Sequence, residues 1–65
     1  MKQKIIAAQR DHLEAHIKKH IINVDLLLEN PVGVAEHPDI METIEKELSF
    51  IAEYHDKLEM LNTYF

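Results

Sequence analysis

Apolar residues return every three or four positions along two long stretches of the chain, and a short segment rich in turn-forming residues separates them. That spacing marks amphipathic helices. The second stretch has the clearer period. Met41, Ile44, Leu48, Ile51, His55, Leu58, Asn62 and Phe65 follow one another in steps of three and four, with polar interruptions at His55 and Asn62. In the first stretch the corresponding line is Ile6, Arg10, Leu13, Ile17, His20, Val24 and Leu27. Such lines are the a/d seams through which helices pack side by side. The segment Asn30-Pro31-Val32-Gly33-Val34-Ala35-Glu36-His37-Pro38 breaks the pattern. Pro31 has no N–H and disfavours helical geometry at Asn30, so the first helix should stop near Glu29. Gly33, the single glycine, supplies backbone freedom for a turn. Pro38 suits the first turn of a new helix, with Asp39 and Glu42 near its positive end. The pattern predicts an all-α, antiparallel two-helix hairpin forming one domain over residues 1–65: helix 1 at about 2–29, a loop at about 30–37 and helix 2 at about 38–63.

The apolar stripes are wider than one contact requires. Ile5, Ile21, Ile22, Leu26 and Leu28 lie off the first seam, and Ile40, Phe50, Tyr54, Met60 and Leu61 off the second. Two wide stripes ask for a third and fourth helix. Pairing of two hairpins into a four-helix bundle is the simplest closure, and coiled-coil oligomers of other order fit the same pattern. The candidate packing and oligomer seam is Leu13, Ile17, Val24 and Leu27 on helix 1 with Met41, Ile44, Leu48, Ile51 and Leu58 on helix 2. Size points the same way. In 65 residues without a cysteine, apolar burial and chain entropy nearly cancel, and no disulfide is available to help.

Charge narrows the partners. Twelve acidic residues against seven basic leave a net charge of −5. A nucleic-acid binder needs a basic face to displace counterions from phosphates, and adsorption to an anionic bilayer needs one too. Leu26-Leu27-Leu28 is bracketed by Asp25 and Glu29, and no apolar run approaches the roughly 20 residues of a membrane span. Arg10 and Asp11 follow Met1-Lys2-Gln3-Lys4 too soon for a signal peptide. The expected setting is the cytoplasm, without nucleic acid or membrane, and the expected partner is a second copy in a homo-oligomer, a dimer by default, or another protein. The charges also segregate. Residues 2–19 hold five basic and two acidic residues, net +3, whereas 38–65 hold two basic and seven acidic, net −5. Antiparallel pairing of such helices gains a modest attraction at physiological salt.

Five histidines are the compositional oddity. His12, His16 and His20 are spaced i, i+4, i+8, so neighbouring imidazoles share a helix face, a workable start for a zinc or nickel site. With the turn centred near residue 33–34, His12 comes level with His55, and Asp56 or Glu59 could complete the set. The plainer reading makes these polar residues of a helix, with His20 and His55 setting register in the seam or loosening it on protonation. Di-iron chemistry needs Glu-x-x-His pairs; the residues three before the histidines are Gln9, Leu13, Ile17, Val34 and Ala52. Nucleophilic catalysis finds no cysteine and only Ser49, without a glycine elbow. No catalytic or cofactor-binding set emerges, and a non-enzymatic protein is expected. The acidic run on helix 2 also reads as carboxylates at phosphate-like spacing that could mimic DNA and occupy a nucleic-acid-binding protein, and an acidic helix 2 that binds another protein would make the chain a small regulator or inhibitor. Val32 and Val34 in the loop would cap the bundle or dock a partner.

The phrase Glu29-Asn30-Pro31-Val32-Gly33-Val34-Ala35-Glu36-His37-Pro38-Asp39-Ile40, with the ending Asp56-Lys57-Leu58-Glu59-Met60-Leu61-Asn62-Thr63-Tyr64-Phe65, resembles small helical proteins of T4-like marine phages, the cyanophages especially. The resemblance implies a phage origin and the host cytoplasm as the setting. It brings no activity and no site residue with it.

Overall fold

A computed structural model describes residues 1–29 and 39–65. Two helices, α1 (Lys2–Glu29) and α2 (Ile40–Tyr64), pack antiparallel along their length as a hairpin. The rod measures 48 × 15 × 14 Å, one helix pair thick. The expected loop, including Val32, Gly33, Val34 and Pro38, lies outside the described residues. Among the described residues no helix is long and apolar enough to cross a membrane.

The charges on α1 oppose its own dipole. No acid stands in its first turn and no base in its last, where each would be worth a few tenths of a kcal/mol to about 1. Lys2 and Lys4 instead share an end of the rod with the negative end of the α2 dipole. The helix therefore depends on its neighbour more than on local signals. α2 is better started. Asp39 is its N-cap, in extended geometry (φ −135°, ψ 91°), and its Oδ1 accepts from the Glu42 N–H at 2.9 Å. Such a cap is worth about 1 kcal/mol. Helix 2 was expected to open at 38 with Asp39 inside its first turn; the cap moves its start to Ile40.

The register also differs from the expected one. His16 stacks on Tyr54, His20 on Phe50, and Asn23 bonds Glu47; each pair of numbers adds to 70. His20–Glu47, at 67, and Arg10–Asn62, at 72, lie on either side, so residue i faces about 70 − i, whereas a turn centred near 33–34 required about 67 − i. The difference is nearly one helical turn, so His12 comes level with Leu58 and not with His55.

All seven residues of the expected α1 line are buried or half-buried. On α2 the contact is rotated. Ile44, Ile51 and Leu58 face α1 as expected, and Asn62, although exposed, reaches α1 by accepting from Arg10 Nε at 3.1 Å; but Met41 is 74% exposed and Leu48 51%, and His55 and Phe65 are exposed as well. Ile40, Glu47, Tyr54 and Leu61 take the alternate positions. Both lines share 44, 51 and 58 and differ only in which flank completes the heptad. The flank with Glu47 and Tyr54 wins inside the hairpin because those two side chains meet the histidines of α1.

Little is fully enclosed. Among the described residues only Leu13 (3% exposed) and His20 (7%) are buried. The accessible surface is 5212 Å², against about 4,300 Å² for a compact monomer of this mass. The excess of about 900 Å² is close to one partner's share, ~800 Å², of a stable protein interface.

Candidate functional site

The densest cluster of polar side chains lies midway along the helix contact. Three histidines one turn apart run down α1, and two of them engage α2. The His12 and His16 rings meet edge to face at 4.5 Å between centroids. His16 stacks on Tyr54 at 4.4 Å and 15°, and His20 on Phe50 at 4.6 Å and 19°. Lys57 Nζ stands 5.4 Å from the Tyr54 ring centroid and 3.2 Å from Glu53 Oε1. The stacked pairs explain why Tyr54, off the expected seam, turns inward, and why Phe50, still 43% exposed, lays one ring face on His20.

At the centre, His20 Nδ1 donates to Glu47 Oε2 at 2.5 Å, and Asn23 Nδ2 donates to the same oxygen at 3.3 Å. The side chains of His20 and Glu47 are 9% and 18% exposed. Burial alone would raise the Glu47 carboxyl. The hydrogen bonds from His20 and Asn23, with the nearby charges of His20 and Lys19, outweigh it and hold the group below the usual carboxylate range. His16 moves in the direction that favours its neutral form. Desolvation is the main cause, with His12, Lys19 and His20 adding repulsion, and together they lower it from the ordinary histidine value. Its Nδ1 is buried without a hydrogen-bond partner among the described residues, which a neutral acceptor nitrogen tolerates better than a charged donor.

A carboxylate bonded to an imidazole is the arrangement that orients a histidine for base chemistry. Here the geometry confines it. His20 is covered by Phe50 and offers almost no surface to a substrate. Ser49, the only serine, donates to the Glu45 carbonyl in its own helix at 3.1 Å. The cluster can fix rotation and register of the two helices, since an unpaired partner at this depth is unfavourable.

Of the four histidines considered as metal ligands, His12, His16 and His20 run side by side down α1, with neighbouring ring centroids 4.5 and 6.5 Å apart, while His55 does not join them. Among the described residues no group of three or more His, Asp or Glu side chains is placed to hold a metal ion. His12 and His16 line a shallow hollow with Lys19, whose charge opposes a cation. His20 is occupied by Glu47, and His55 lines a different hollow with Leu58, Glu59, Asn62 and Thr63.

The seam residues divide in the same way. Leu13, Ile17, Val24 and Leu27 with Ile44, Ile51 and Leu58 lie in the helix contact, while Met41 and Leu48 stand on its outer flank. Asn23, Glu47, Phe50 and Tyr54 belong to the central cluster without having been singled out as seam or site residues in the sequence. A usable signal was present: Ile40, Ile44, Glu47, Ile51, Tyr54, Leu58 and Leu61 also step by four and three, with one acid placed to meet a histidine. Comparison with family models, with curated proteins and with solved structures finds no match for the chain.

Proposed function

We propose that this chain is a non-enzymatic interaction module that self-associates, two hairpins completing a four-helix bundle. The observation that carries this reading is the exposed aliphatic surface. Ile21, Leu28, Met41 and Leu48 are 44%, 63%, 74% and 51% exposed, and the excess surface of the hairpin matches what one partner contributes to a stable interface. A rod this thin buries too little by itself, and a second copy supplies the missing layer. Light scattering on a size-exclusion column over a hundredfold range of concentration tests it. The expected result is a mass twice 7.6 kDa that falls only on dilution. A well-folded species of 7.6 kDa at every concentration contradicts the proposal.

A second reading rests on the outer face of α2, where Glu45, Asp56 and Glu59 are exposed. In it the chain is a small acidic regulator that captures a basic protein surface. Reversing the charge at Glu45, Glu53 and Glu59 would then abolish capture and leave the helical signal unchanged. Capture that survives the reversal excludes it.

A further inference from the structure

Granting the self-association just proposed, we infer which face the second copy covers and how it is oriented. It docks on the flank opposite the His16–Tyr54 stack, with the two rods parallel, their Glu29/Asp39 ends together, and each α1 lying on the α2 of the other copy.

The face follows from the helical repeat. At about 100° per residue, Ile21 and Leu28 lie on one flank of α1, beyond Ile17 and Val24. His16 and Asn23 lie on the other flank. On α2, Met41 and Leu48 lie on one flank, and Phe50 and Lys57 on the other. Asn23, Thr43 and Glu47 line one hollow together with Leu26 and Leu27, which identifies the two polar flanks as the same side of the rod. The aliphatic flanks therefore share the opposite side. With residue i facing about 70 − i, Ile21 is level with Leu48 and Leu28 with Met41, so the four make one continuous patch.

Two arrangements related by a two-fold axis can bring this patch against itself. With the axis across the rods, α1 meets α1 and α2 meets α2. With the axis along the rods, α1 meets the α2 of the other copy. Charge decides between them. α1 holds five basic and four acidic residues, net +1, and α2 two basic and six acidic, net −4. The crosswise arrangement places two helices of net −4 together. The lengthwise one opposes unlike helices at both contacts; neighbouring helices are antiparallel in either arrangement, so the charge and not the dipole separates them. The lengthwise arrangement matches positions as well. Ile21 comes level with Leu48 of the second copy and Leu28 with Met41. One heptad further along, Glu14 comes level with His55, an acceptor facing a donor. His55, which has no role inside the hairpin, acquires one between copies.

The test uses the natural absence of cysteine. A single nitroxide is placed at Thr63→Cys, and distances between copies are read by pulsed dipolar spectroscopy. The lengthwise arrangement puts the two labels below about 30 Å, because neighbouring helix axes are ~10 Å apart. The crosswise one, centred on the patch, puts them above about 50 Å at 1.5 Å per residue. A long distance overturns the orientation and leaves self-association standing; a monomer removes the reading beneath it. The face is tested by adding Leu48→Asp, or the milder Leu28→Gln, to the labelled protein. Either should weaken the dimer at least tenfold with helicity retained, and Ile22→Asp, on the back of α1, should not. A short distance that survives both patch variants overturns the face.

Discussion

The two sides of the rod answer the same need by different chemistry. One side holds the His20–Glu47–Asn23 hydrogen bonds and the stacked pairs His16–Tyr54 and His20–Phe50. Its hydrogen bonds and ring stacks are made within a single hairpin, although His16 Nδ1 has no partner among the described residues and Phe50 stays 43% exposed. The other holds Ile21, Leu28, Met41 and Leu48, each more than two-fifths exposed, and on our proposal is satisfied only by a second copy. Directional polar contacts choose which of two overlapping heptads faces inward. Nondirectional aliphatic burial, left over on the remaining flank, then supplies the drive to associate.

The comparison breaks most severely at the one buried aliphatic they share. Leu13→Ala should cost about 2–5 kcal/mol, read as a lowered urea midpoint in circular dichroism, whereas Ile22→Ala on the exposed back should stay within about 0.5 kcal/mol. A Leu13 variant as stable as the parent would mean that the helix contact is not where stability resides.

Next in size is the polar side. Glu47→Leu alone should cost about 1–3 kcal/mol, because it strands the His20 donor. Replacing both His20 and Glu47 by leucine should restore most of that loss, since an apolar pair needs no desolvation of charge. The double variant should then lose definition, with broader amide resonances in an NMR spectrum as the alternative heptad competes. Sharp spectra would show that the polar cluster is not what selects the inward flank.

Acid should loosen the polar side in two stages. His16 titrates lower in the folded chain than in the unfolded one, so the unfolded form takes up its proton first. The stability it contributes is present above about pH 6.5 and is lost as pH falls through the lowered folded value. Glu47 is also lowered, so its contribution is present above the ordinary carboxylate range and disappears as pH falls through its own folded value. Melting temperatures measured from pH 8 to pH 3 should decline in both windows, and His16→Gln should remove only the upper one. The smallest effect belongs to the solvent-facing pair Glu53–Lys57: Glu53→Gln should cost about 0.2–0.5 kcal/mol and nothing measurable in 1 M salt.

Much of the fold was written in the apolar period. Helix 1 and its inward line from Ile6 to Leu27 follow from spacing alone, as does the antiparallel hairpin. What escaped was the rotation of α2. Met41, Leu48 and His55 form as good a heptad with Ile44, Ile51 and Leu58 as Ile40, Glu47 and Tyr54 do, and hydrophobicity prefers the former. The pairing of Glu47 with His20, a contact across 27 positions, and the stacking of Tyr54 on His16 favour the latter. The register escaped because the turn residues mark where the chain reverses but not where the reversal is centred: a centre near 33–34 sets each cross-helix pair about three residues, nearly a turn, from where His16–Tyr54, His20–Phe50 and Asn23–Glu47 place it. The expected register sets His12 level with His55, whereas the observed one sets it level with Leu58.

Sedimentation equilibrium on the parent chain and on Leu48→Asp, side by side at several loading concentrations, tests the central claim most directly. The account predicts a parent mass of twice 7.6 kDa and a Leu48→Asp variant at 7.6 kDa that retains helical circular dichroism. A parent chain that stays at 7.6 kDa, fully helical, at the highest concentration would contradict it.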